Sequence, residues 1–203
     1  MDQLISGYRR FREGYFQPNR ALFDQLAQGQ APKAMVIACC DSRVDPTLIF
    51  DASPGEIFTL RNVANLVPPY GPDELCHGTS AAIEFGVRGL GVAHIIVLGH
   101  ASCGGIQALM GAHDGDFIGP WMRIAEPALE HVQAVAGHLP ADRQRRLCEQ
   151  QTVRISLANL RSFPWIAQPM AEGRLQLHGC YFDIDGGELQ MLDEATGEFR
   201  AVD

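Results

Sequence analysis

Apolar positions along the chain change period several times, and each change marks an element. Leu4, Ile5, Tyr8, Phe11 and Tyr15 recur every three or four residues, the spacing of one face of a helix. Pro18 and Asn19 open a second helix over "RALFDQLAQ", with Asn19 as its predicted cap and Gly29 as its predicted stop. The run "AMVIACC" is continuously apolar and partly β-branched, which predicts a strand covered on both faces. "EIFTLRNV" predicts a second strand, entered through a turn at Pro54 and Gly55. A helix follows over "ELCHGTSAAIEFGVRGL", then a third buried strand over "AHIIVLGH". Gly104 and Gly105 open a further helix, and helical stretches continue to about Arg161. "RLQLHGCYFDI" and "GELQMLD" predict late strands at an edge, split by a turn at 185–187. Strands alternating with helices imply an α/β fold, a mostly parallel sheet with helices on both faces.

The totals narrow the class. The 203 residues, 46% of them apolar, suffice for one core, so a single domain is expected, with residues 1–29 as a helical arm and 33–203 as the α/β core. A formal net charge of -8 argues against nucleic acid or an anionic membrane surface as partner. No apolar run approaches the roughly 18 residues of a membrane span, and the first residues carry no signal-peptide pattern. Six cysteines without an export signal are expected to be reduced thiols in a cytoplasmic protein, serving as small core residues, ligands or nucleophiles.

Two motifs concentrate the chemistry. Cys39, Asp41 and Arg43 follow the first apolar strand, and His100 with Cys103 follows the third. In open α/β sheets ligands bind beyond the carboxyl ends of strands. If these two strands are neighbours, two thiols and an imidazole converge, a donor set that suits tetrahedral zinc with one position left over. Asp41 is the candidate for that fourth position, and Arg43 can hold its carboxylate away through two parallel hydrogen bonds.

The pairing of "CCDSR", Cys39 to Arg43, with "GHASCGGI", and "RNVANLVPPY" between them, closely resembles the β-class carbonic anhydrases. The resemblance implies one zinc per chain on Cys39, His100 and Cys103, with Asp41 and Arg43 as the dyad that opens or closes the fourth position. It implies reversible hydration of carbon dioxide to bicarbonate and a proton by a hydroxide held on zinc. It further implies a mostly parallel sheet with an antiparallel edge strand, and a homodimer or higher homo-oligomer in which the N-terminal helices pack on the partner. Matching family positions suggest Gln30, Phe58, Val63, Phe85 and the backbone N–H of Gly104 as the carbon dioxide pocket. A regulatory bicarbonate site known in some relatives would map to Val36, Arg61 and Phe182, two of which do not match.

Other readings compete. Cys76, Cys148 and Cys180 are expected to be buried apolar fillers, and Cys40 to face away from the metal. His77, His94, His113, His131, His138 and His178 lack companion ligands and are expected in surface or capping roles. The constellation could be a closed structural zinc site with Asp41 as permanent ligand, or a thiol hydrolase with Cys39 or Cys103 as nucleophile and His100 as base. Hydrolysis of a carbon dioxide analogue, carbonyl sulfide or carbon disulfide, is a further alternative on the same site.

Overall fold

The computed structural model describes residues 1–111 and 115–202; His113 lies outside them. Two compact units divide the chain, Met1–Ala31 and Pro32–Asp203.

In the first unit, α1 (Asp2–Phe11) runs into a wide turn over Arg12–Phe16 and then α2 (Arg20–Leu26). Asn19 stands at the N-cap position of α2 but does not cap it, because its side-chain amide donates to the Tyr15 carbonyl at 2.8 Å. The wide turn before α2 therefore uses the group that the sequence assigned to the helix. Phe11, Tyr15, Phe16 and Phe23 form an aromatic cluster, tightest between Phe16 and Phe23 at 4.6 Å. The stripe that predicted α1 stays exposed: Leu4 and Tyr8 are 73% and 60% accessible.

The second unit is an α/β sheet in the order β2-β1-β3-β4-β5-β6. Its elements are β1 (Ala34–Cys39), α3 (Pro46–Ile49), β2 (Ile57–Asn62), α4 (Gly78–Glu84), β3 (His94–His100), α5 (Gly104–Met110), α6 (Ile118–Met122), α7 (Glu126–Ala136), α8 (Ala141–Arg161), α9 (Pro164–Ala171), β4 (Gln176–Asp183), β5 (Glu188–Asp193) and β6 (Glu198–Ala201). β2, β1, β3 and β4 are parallel, and β5 and β6 add an antiparallel margin. The chain passes from β1 to β2 on one side and then crosses to β3 on the other. β1 and β3 thus flank a switch point, paired from Ala34↔His94 to Ala38↔Leu98.

Alternation along β1 separates the layers. Met35 and Ile37 join Ile95, Val97 and Leu177 beneath α4, α8 and α9, through Ile83, Val153, Leu157, Leu160 and Ile166. Val36 and Ala38 face the other way, with Leu98, Cys180 and Ile49 of α3. Full burial of such aliphatic side chains stabilises by about 1.5–3 kcal/mol each, so this sheet face anchors α8. α8 lies so close to β3 that a Cβ on Gly99 would sit 2.6 Å from Val153 Cγ2. Gly99→Ala is therefore expected to lower stability by about 1–3 kcal/mol in chemical denaturation, and an unchanged midpoint would contradict this packing.

Several boundaries differ from the sequence reading. α4 begins at Gly78 rather than residue 74, because the Asp73 carboxylate accepts the Leu75 N–H at 2.7 Å and meets His77 Nε2 at 2.6 Å, holding residues 73–77 in a turn. Pro46 hides α3, whose cap is Asp45 accepting from Thr47 N at 2.9 Å. Two prolines mask α9, although Pro164 in the first turn gives up no helical hydrogen bond. β6 is too short to show alternation; its turn is held by Asp193 accepting from Ala195 N at 2.9 Å, with Gly197 at φ 73°.

Candidate metal centre

The carboxyl ends of β1 and β3 bring the two motifs together. Cys39 Sγ lies 3.9 Å from Cys103 Sγ, and those two sulfurs and a ring nitrogen of His100 all fall within 4.8 Å of one another. All three residues are at least 96% buried. Cys39 has the parity of Met35 and Ile37, whereas His100 has that of Ile96 and Leu98, so the donors meet at the rim of the sheet and not on one face. Cys40, of opposite parity to Cys39, is exposed and outside the cluster, as expected. Its N–H donates to the Asn62 carbonyl at 2.8 Å and extends the pairing with β2.

The donor chemistry fits a divalent cation. His100 Nδ1 meets the Ala101 carbonyl at 2.9 Å, which fixes the proton there and leaves Nε2, buried and without a hydrogen-bond partner among the described residues, aimed into the cluster. A buried unpaired nitrogen is costly unless something binds it. Cys39 is lowered far below the usual thiol range, first by a hydrogen bond from Cys103, while Cys39 in turn pushes Cys103 up. Two thiolates 3.9 Å apart cannot both ionise without a positive charge between them. Burial opposes protonation of His100, yet the Cys39 thiolate outweighs it and raises the imidazole. Backbone N–H groups add to this: Asp41 and Ala64 favour the Cys39 thiolate, and Gly105 and Ile106 that of Cys103.

Asp41 is outside the cluster of donors and is gripped by Arg43. Arg43 Nε and Nη2 donate to the two carboxylate oxygens at 3.0 and 2.7 Å, and the Arg43 N–H adds a third bond at 3.0 Å. The guanidinium holds the Asp41 carboxyl well below its ordinary value. Arg43 Nη2 also reaches the Ser102 carbonyl at 2.9 Å, so it ties the first motif to the second. Arg61 supports the same turn through the carbonyls of Cys39, Asp41 and Val44 and an ion pair with Asp45 at 3.3 Å.

The suggested pocket residues are dispersed. Val63 packs with Cys39, Cys103 and Ile106, and a Cβ on Gly105 would lie 2.8 Å from Val63 Cγ1, so glycine there lets α5 approach the turn at Val63 and Ala64. Gly104 opens α5. Phe58 packs against the cluster around Met35, which contains none of the three donors; its ring meets that of Phe85 at 5.9 Å in a tilted arrangement, and Phe85 is 51% exposed. Gln30 belongs to the N-terminal unit. A cavity of about 920 Å³ lies beyond Val63, walled by Pro68, Phe117, Ile118, Trp121 and Ile124, with Cys40 at its margin and no donor in its lining.

Sequence reasoning missed a buried support. Glu149 of α8 is 3% exposed; its Oε1 accepts the Cys103 N–H at 3.0 Å and its Oε2 the Tyr181 hydroxyl at 2.7 Å. Burial pushes its carboxyl up. The available signal was its register with Thr152, Ser156 and Leu160 on the buried stripe of α8. Cys148 and Cys180 are buried as expected, but Cys76 is exposed, because it lies in the turn preceding α4. His94 and His178 pair with each other at 3.1 Å.

Two thiols and an imidazole at the carboxyl rim of a parallel sheet, with an acid held just outside them, form a cluster that could hold a metal ion, with the sulfur–nitrogen donors that zinc enzymes use. Residues 34–189 match the family model described as carbonic anhydrase. The chain is 43% identical over 189 residues to beta carbonic anhydrase 5, chloroplastic, of Arabidopsis thaliana, covering 90% of this chain and 62% of that protein. It superposes on the β-carbonic anhydrase CcaA with a TM-score of 0.94 at 34% identity, covering 100% of this chain and 92% of the other. A tetrameric β-carbonic anhydrase of Sordaria macrospora matches with a TM-score of 0.83 at 30% identity, over 94% and 95%. The chain belongs to the carbonic anhydrase family, in its β class.

Proposed function

We propose that the protein catalyses the reversible hydration of carbon dioxide to bicarbonate and a proton, with one zinc ion per chain held by Cys39, His100 and Cys103. The convergence of those three buried donors, with His100 Nε2 unpartnered, carries this reading. Zinc bound there would supply a water acidic enough to act as a nucleophile near neutral pH. Arg43 holds the Asp41 carboxylate off the fourth position, and the apolar surroundings of Val63 and Ile106 suit a small apolar substrate. Because two thiolates offset the ion's charge, activity is expected to rise across roughly pH 6.5 to 9, and a plateau in mildly acidic buffer would contradict this.

Gln30, Phe58 and Phe85 fit a pocket role only if they face the site of another copy, since Phe58 packs in a cluster that holds none of its own chain's donors and Phe85 lies exposed against Phe58. A homo-oligomer, with the exposed stripe of α1 as contact, accounts for both observations. Bicarbonate regulation at Arg61 is not expected: its donors are committed to Cys39, Asp41, Val44 and Asp45, and buried Val36 offers no polar group. The reduced thiols of the site suit the cytoplasm, and no helix among the described residues is long and apolar enough to cross a membrane.

Stopped-flow carbon dioxide hydration on metal-analysed protein tests the proposal. Activity that vanishes on chelation and returns with zinc supports it. Activity that survives chelation and dies on alkylation would support a thiol hydrolase, a reading that the near-complete burial of both sulfurs disfavours. Turnover of carbonyl sulfide or carbon disulfide without carbon dioxide hydration would move the substrate and keep the site.

A further inference from the structure

We infer that Glu149 is a positioning residue for the metal site: its buried carboxyl fixes the Cys103 N–H and so the direction in which that sulfur is presented. The inference rests on the metal reading above. Ser102, immediately before Cys103, is held at φ 57°, a left-handed conformation that a non-glycine residue keeps only when its surroundings impose it. Two side chains impose it from opposite ends of the peptide. Arg43 Nη2 donates to the Ser102 carbonyl at 2.9 Å, and Glu149 Oε1 accepts the Cys103 N–H at 3.0 Å.

Core packing alone does not account for a carboxyl at this position. Taking an ionisable group out of water is costly, and the nearest cation, Arg145, is 3.8 Å away and only loosely engaged. What the site supplies instead is a matched pair of donors, the Cys103 N–H and the hydroxyl of fully buried Tyr181 at 2.7 Å. The frame behind it is rigid: α8 is pressed onto β3 at Gly99, one residue before His100, and β4 carries Tyr181 opposite Gly99 in the parallel register. The acceptor for Cys103 is thus located by the same strand that presents His100.

Glutamine at this position keeps an acceptor for the Cys103 N–H, whereas alanine removes it. The test is the rate at which zinc leaves the holoprotein under excess chelator, for wild type, E149A, E149Q and L160A. Outer-shell partners typically change metal affinity by about 10–100-fold, so E149A is expected to release zinc at least about tenfold faster than wild type and E149Q to stay within about threefold. Leu160→Ala removes buried volume from the same helix about 16 Å further along, and is expected to leave release within about threefold. If E149A does not accumulate as folded protein, Tyr181→Phe, which frees the carboxyl from its second bond, is expected to speed release by more than about threefold. Release from E149A at the wild-type rate, from E149Q as fast as from E149A, or from L160A as fast as from E149A would overturn the inference; so would wild-type release from Y181F where E149A does not fold. Wild-type protein without zinc would refute the metal reading and the inference together, whereas zinc-loaded wild type with equal release from E149A refutes only the role of Glu149.

Discussion

Cys103→Ala is expected to strip the protein of its zinc and to reduce carbon dioxide hydration by about a thousandfold or more. The substitution leaves Cys39 and His100 as a two-donor set, and catalytic zinc sites rest on three protein ligands. A thousandfold loss corresponds to about 4 kcal/mol of barrier lowering, well within what an activated water contributes. The fold should survive, since alanine replaces a small side chain whose neighbours Ala64 and Ile106 are themselves apolar. Metal analysis beside stopped-flow assays reads both effects. Full zinc content, or activity within tenfold of wild type, would contradict the assignment.

Arg43→Ala separates metal binding from openness. The Arg43 side chain makes two bonds to Asp41 and one to Ser102, and none to a donor atom, while its backbone N–H makes a third bond to Asp41 that alanine keeps. Without the guanidinium the Asp41 carboxylate keeps only that N–H bond and its second oxygen is released toward the fourth position on the metal, so zinc should be retained while activity falls by about a hundredfold. Activity within threefold of wild type would show that Asp41 needs no restraint. The pair is no switch in the working range. A carboxyl whose folded pKa is depressed contributes stability above its unfolded value, and that contribution is lost only as pH falls below about 4. The Asp41–Arg43 clamp should therefore hold throughout neutral and alkaline buffers.

How much of this was legible in the sequence follows from the range of each interaction. β1 and β3 announced themselves because strands buried on both faces must be apolar at every position, and the polar residues that end them are then conspicuous. The Asp41–Arg43 clamp was readable too, because it closes over two residues. Glu149 was not: it reaches Cys103 from 46 residues away along the chain, through a helix packing that no local pattern encodes. Phe58 and Phe85 show the reverse limit. Family position named them together, and their rings do meet at 5.9 Å, but Phe58 packs in the cluster around Met35, which holds none of the donors. Asn19 carried the right residue type for a cap, and the preceding turn took its amide instead. α9 and β6 were hidden by prolines and by brevity.

Zinc K-edge X-ray absorption on the isolated protein at about pH 8 tests the central claim most directly. Two sulfur scatterers near 2.3 Å and two lighter ones near 2.0–2.1 Å are expected, the imidazole and a single oxygen from water. Absence of zinc, or a shell without the two sulfurs, would contradict the account.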